Sequence, residues 1–319
     1  VEILHVRQTY RWLSWIPLLG GTVVALVLFW PAHAYAWGPL AHLEFGEGAL
    51  ASLSLVPAVV RDLLSRCNDE FLYGTLAADM IVGKNLAPYI VHCHNWKIGF
   101  QVLDQAGSDE ERAFAHGFLA HLAADTVAHN YYVPYKTVEA YGRRRCGHAY
   151  WELRYEQRLS PELWRTCRRV SERTIRRHDV FLKGAIASSA VLPFGLSKGM
   201  FEGLLFSARL KRWQQMSALM AGRRNMVLHD EEVAEMRELA VGQIVDVLAH
   251  GLDANCVTAD PTGLRNLRMA TDMRRRLRKA RDRGLTTERA AETIARVRPA
   301  FRDAIHGPLH LPHLDELYA

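Results

Sequence analysis

The sequence predicts an all-α protein, and three observations carry that expectation. Alternating apolar and polar residues of the strand type are nearly absent along the 319 residues. Apolar residues recur instead at helical spacing in segment after segment. The breaks between segments fall on Pro and Gly, at Pro57, at Asp260-Pro261-Thr262-Gly263 and at Arg283-Gly284.

From the first residue onward, the pattern reads as follows. Arg7 and Arg11 precede an apolar run from Trp12 to Trp30, and Ala34-Tyr35-Ala36 closes it. A basic start, an apolar middle and small residues at −3 and −1 describe a secretory signal peptide over 1–36, cut before Trp37. The expectation is export, to the periplasm or outside the cell. The alternative is an uncleaved leader that anchors the protein in a membrane, since about 18 or more apolar residues can span one. Residues 37–319 then form one main helical domain, those after about 228 reading as a C-terminal helical extension. Glu44 to Arg66 reads as one or two helices broken near Pro57. Asp109 to His129 carries Phe114, Phe118, Leu122 and Val127 at helical spacing. Gly147 to Arg158 and Ser160 to Arg177 follow. His229 to Leu252 opens with Asp230, Glu231 and Glu232, which suit a helix N-terminus. Leu264 to Arg283 and Thr287 to Arg298 complete the set. Ala185 to Phe206, apolar and rich in Gly, Ser and Phe, reads either as a buried helix pair joined at Pro193 or as a lid or membrane-contacting loop; its Pro193, Lys198 and Glu202 argue against a span.

The five cysteines, Cys67, Cys93, Cys146, Cys167 and Cys256, show no framework spacing and no CxxC, which excludes a zinc ribbon and assigns no disulfide. The net charge is +6. Basic runs sit at Arg143-Arg144-Arg145, from Arg165 to Arg177, and at Met273 to Arg283. They read as a solvated face, or as a surface drawn to anionic lipid or to polyanions. No nucleic-acid-binding motif is present, although Trp96, Tyr131, Tyr132 and Tyr135 could stack on bases or form core.

Potential metal ligands crowd the first half of the chain: Trp37, His42, Asp79, His92, His94, His121, Asp125, His129, His148 and Glu152. His121, Asp125 and His129 stand four apart inside a strong helical pattern and so form one column. His148 and Glu152 repeat the spacing on the next helix. Imidazole with carboxylate is what zinc takes when no thiolate is offered. A polar column set among Leu, Ala and Val would leave charge buried at high cost, which a cation offsets. The α-amino group of Trp37, freed by the cut and titrating near ~8, is a further potential ligand together with its carbonyl oxygen. His116, His229, His250, His306, His310 and His313 read as surface or satisfied core histidines.

The order Trp, His, Asp, His, HxxxD, His, HxxxE resembles the bacterial zinc-dependent phospholipases C and the related single-strand nucleases of the S1/P1 type. "WGPLAHL", "HCHNW" and "HLAADTVAH" carry the resemblance, over roughly Trp37 to Glu152. It implies a multi-helix domain with a cluster of about three zinc ions in a cleft. One ion would take Asp79, His92, His121 and Asp125. A second would share Asp125 and take His42 with the amino and carbonyl groups of Trp37. A third would take His129, His148 and Glu152. His94 is the alternate to His92. The implied reaction is hydrolysis of a phosphate ester by metal-activated water, with Asp79 as the base. Two departures stand out. His129 follows Asp125 by four residues where the family has six. The acidic residue that recognises choline has no counterpart, Leu40 standing there, and Met80 stands where the choline enzymes have Tyr. Phosphatidylcholine preference is therefore not expected. The leading expectation is a phospholipase C acting on a phospholipid, with peripheral membrane contact. A single-strand nuclease or nucleotidase, and a non-catalytic protein stabilised by zinc, are the other two.

Overall fold

The structure, a computed structural model, describes residues 37–80, 94–143, 147–186 and 226–312. The leader, His92, Cys93, Cys146, His313 and nearly all of the Ala185 to Phe206 segment lie outside the described residues. Within them the fold is all-α, with no strand. The helices are α1 Pro39–Ala51, α2 Ala58–Arg66, α3 Asn68–Ala77, α4 Trp96–Asp104, α5 Asp109–Val127, α6 Val133–Glu139, α7 His148–Glu156, α8 Leu163–Ile186, α9 Asp230–His250, α10 Leu264–Asp282 and α11 Thr287–Asp303. No helix among the described residues is long and apolar enough to cross a membrane.

Helix α5 is the axis of the fold. Ser108 accepts the Glu111 N–H, and Glu111 in turn accepts the Ser108 and Gly107 N–H groups. This capping box fixes the start of α5. Beyond its first turn nearly every side chain is buried, from Ala113 to Val127. A helix covered on all sides belongs at the centre of a bundle. Helices α3, α4 and α9 pack directly on it, α1 packs on α3 and α9, and α10 and α11 pack on α6.

The α3–α5 crossing is set by two glycines. A Cβ on Gly74 would overlap the Phe114 carbonyl, and one on Gly117 would overlap the Phe71 carbonyl. The two backbones therefore touch, which no larger residue permits.

Helices α3, α4 and α6 did not stand out in the sequence. Phe71 to Ala77 is buried throughout, so α3 shows no stripe. Helix α6 carries Pro134 in its first turn, a position where the missing N–H costs nothing.

Helix α1 lacks a side-chain cap at Gly38. The carboxylate of Glu156, at the end of α7, accepts the Ala41 N–H at 2.9 Å instead. A Cβ on Gly38 would overlap that carboxylate, so this tie requires glycine there. Burial pushes the Glu156 carboxyl up to about 8, against the lowering pull of the Ala41 and Leu40 amides. The C-terminal helices are tied in as well. Glu232, at the start of α9, accepts the His229 N–H and pairs with buried Lys136 of α6.

Candidate metal centre

The side chains that converge at the centre come from seven places in the chain. Trp37 sits just before α1 with its indole buried, donating from Nε1 to the Ala124 carbonyl at 2.9 Å and stacking on Tyr132 at 5.0 Å. His42 is on the second turn of α1. Asp79 lies on the short 3-10 segment Ala78–Met80 that ends α3. His94 precedes α4. His121 and Asp125 lie one turn apart on α5. His129 stands in a π-helical stretch, Ala128–Tyr132, and His148 and Glu152 lie one turn apart on α7.

Asp125, fully buried, faces two ways. Its Oδ1 is 3.4 Å from His42 Nε2. Its Oδ2 is 3.2 Å from His94 Nε2 and 3.3 Å from His121 Nε2. Asp79 Oδ1 stands 3.3 Å from His94 Nε2 and 3.9 Å from His121 Nε2. The Nε2 atoms of His94 and His121 are 3.0 Å apart. Three groups result in which all ligand atoms lie within 4.8 Å of one another: His42, His121 and Asp125; Asp79, His94 and His121; His129, His148 and Glu152.

These spacings fit a metal. Bonds of about 2.0–2.1 Å to a tetrahedral zinc put neighbouring ligand atoms roughly 3.3 Å apart. The tautomers fit as well. His121 Nδ1 lies 2.8 Å from the Thr75 carbonyl oxygen and His129 Nδ1 lies 2.6 Å from that of Pro261. A carbonyl only accepts, so each Nδ1 carries the proton and each Nε2 turns a lone pair toward the carboxylates. Lone pairs meeting carboxylate oxygens in a dry interior are costly, and a cation held between them offsets that cost. The Glu152 carboxyl is pushed up to about 7 by burial, with His148 at 2.6 Å pulling it down.

The column His121-Asp125-His129 divides. His121 and Asp125 share a cluster, while His129 leaves it for His148 and Glu152. The helix widens to π geometry at Ala128, one residue before His129, and such turns re-aim a side chain within a helix. His94, the alternate to His92, is the described histidine of this cluster, and His92 lies outside the described residues.

Four groups escaped the sequence reading. Thr75 and Pro261 act through backbone carbonyls, which leave no side-chain signature. Gly263, at φ +52°, lies against the His129 carbonyl, where a Cβ would overlap it. Glu156, four residues past Glu152, holds the start of α1. Only Glu156 had a readable signal, in its helical spacing from Glu152. Asn130 extends the C-terminal tie, donating to the Asp260 carbonyl at 2.9 Å and accepting from Asn266 at 2.7 Å.

One family model matches the chain, over residues 41–188. That family is zinc-dependent phospholipase C. The matched segment covers just under half of the 319 residues and contains every histidine and carboxylate of the three groups. No curated protein and no solved structure matches the chain at a significant level. The match supports a zinc-dependent hydrolase acting on phosphate esters in the manner of a phospholipase C. Pro261 and Gly263, which meet His129, and Asn266, which donates to Asn130, lie beyond the matched segment.

Proposed function

We propose that the mature protein is a phospholipase C that begins at Trp37 and hydrolyses a phospholipid head-group ester. The observation that supports it best is the two-sided environment of Asp125, one oxygen toward His42 and the other toward His94 and His121, with a separate His129–His148–Glu152 group beside it. On this reading Asp79, His94, His121 and Asp125 would hold one zinc, and Asp125 and His42 would hold a second with the Trp37 amino and carbonyl groups. His129, His148 and Glu152 would hold a third. Bound zinc supplies Lewis-acid polarisation of a phosphoryl oxygen and a water of lowered pKa.

The chain's own residues do the rest. Thr75 and Pro261 lock His121 and His129 in the tautomer that presents Nε2. Asp79 is the general base, its carboxylate at the edge of the first cluster and in reach of a proton there. The indole of Trp37, held by Ala124, keeps the chain start beside the turn that carries Asp125. Glu156 holds α1, and with it His42. Export after the cut before Trp37 is part of the same reading, because a free α-amino group exists there only after cleavage.

A nuclease needs exposed rings for base stacking. Trp96, Tyr131, Tyr132 and Tyr135 are all buried, and Trp96 Nε1 donates to the Ala259 carbonyl at 2.9 Å. The lipid reading is therefore preferred. The test is to purify the exported protein, sequence its N-terminus, measure zinc and assay head-group release. Zinc-dependent release of phosphorylated head group with diacylglycerol supports the reading. Cleavage of single-stranded DNA or RNA with no lipid turnover replaces it with the nuclease.

A further inference from the structure

Helix α10 presents a basic face that the metal centre does not use. At 100° per residue, Arg265, Arg268, Arg275, Arg276 and Lys279 fall within an arc of about 100°. All five are exposed. The buried side of the helix, Asn266, Ala270, Met273 and Leu277, faces the other way. The one acid inside the arc is Asp272, paired to Arg275 at 3.2 Å. Neighbouring arginines are already employed: Arg274 and Arg278 both donate to the Arg143 carbonyl. Helix α11 lacks such a face, its exposed arginines alternating with Glu288, Glu292 and Asp303.

We infer that this face docks the protein on an anionic phospholipid surface. The charge is concentrated on one side, where guanidinium groups can pair with lipid phosphates. Leu264, 43% exposed at the start of the helix, borders the arc and adds an apolar foot. The helix also begins at the centre, because Gly263, the residue before it, lies against the His129 carbonyl. Docking along α10 therefore holds the lipid surface against the helix whose N-cap residue adjoins the metal centre. The choice of lipid over nucleic acid rests on the phospholipase reading and on the burial of the candidate stacking rings; the polyanion-binding face itself does not.

The test compares the full chain with its R265Q/R268Q/R275Q/R276Q/K279Q variant, both in the same processed form. Co-sedimentation is measured with vesicles of phosphatidylcholine alone and of phosphatidylcholine with phosphatidylglycerol. Turnover of a dissolved short-chain phospholipid is measured alongside. The expected result is at least about 10-fold weaker binding of the variant to anionic vesicles, equal binding of both to neutral ones, and unchanged turnover of the dissolved lipid. Wild-type binding should also weaken as salt rises from about 0.05 to about 0.5 M, which holds even if the variant folds poorly. Equal binding of the two proteins to anionic vesicles overturns the inference. So does tighter binding of single-stranded DNA than of vesicles through the same five residues. A loss of vesicle binding in the variant without lipid turnover by either protein keeps the docking face and removes the phospholipase reading.

Discussion

His42 and Asp125 meet at 3.4 Å, Nε2 to Oδ1, across helices α1 and α5. The other oxygen of Asp125 faces His94 and His121, so this one carboxylate joins two groups of potential ligands. Replacing it with Asn removes the charge and one oxygen while keeping the shape. If the proposed three-zinc centre holds, Asp125→Asn should lower bound zinc to about one ion per chain and reduce turnover by at least about 100-fold. Metal analysis of the purified variant is the check, and near-normal zinc would exclude the bridging role.

The third group depends on a turn from the far end of the chain. Gly263→Ala places a methyl group against the His129 carbonyl at a positive φ. The backbone must shift, and with it the Pro261 oxygen that holds His129 Nδ1. Destabilisation of about 1–3 kcal/mol is expected, together with loss of roughly one zinc. Thermal melts and metal content measured on the same sample should move together. A destabilised variant with full zinc would detach the turn from the metal centre.

Metal and fold should be linked. The candidate ligands come from α1, the 3-10 segment after α3, α5 and α7, so zinc held by them would bind the folded chain and not the unfolded one. A metal held at about 1,000 times its Kd adds about 4 kcal/mol. Chelation should lower the melting temperature by several degrees or more, and zinc should restore it. An unchanged melt would mean that the centre is preorganised without an ion.

His116, on the partly covered side of α5, has its pKa pushed down to about 4 by burial. The folded protein therefore keeps this imidazole neutral while the unfolded chain protonates near 6.5. Its contribution is fully present above about pH 6.5 and is lost as pH falls toward 4. The limit is on the order of 3 kcal/mol. In His116→Phe the fall in stability between pH 7.5 and pH 4.5 should be smaller than in the wild type. The difference between the two proteins isolates His116 from the histidines of the metal centre. Equal falls would mean that the ring is already solvated.

An added residue ahead of Trp37 tests the chain start. It would displace the α-amino group while leaving the indole on the Ala124 carbonyl. Turnover should fall by at least about 10-fold, with the melting temperature within about 2 °C. An extended protein with full turnover would place the second zinc without help from the amino group.

Local periodicity determined a large share of this protein. The all-α class, α5 and α7, and the His121–Asp125 and His148–Glu152 pairs follow from apolar spacing and from the i, i+4 rule, both of which act within one helix. The family match over residues 41–188 supports the zinc-hydrolase reading of those motifs. Tertiary structure decided what spacing cannot encode. It brought His42 and His94 onto Asp125 and Asp79 onto His94 and His121, and Gly74 and Gly117 let α3, which runs into Asp79, touch α5. It turned His129 away from its column through a π turn. It supplied the Thr75 and Pro261 carbonyls that fix two imidazole tautomers. A backbone carbonyl is the same at every residue, so its partner across the fold is written only in the packing that brings the two together.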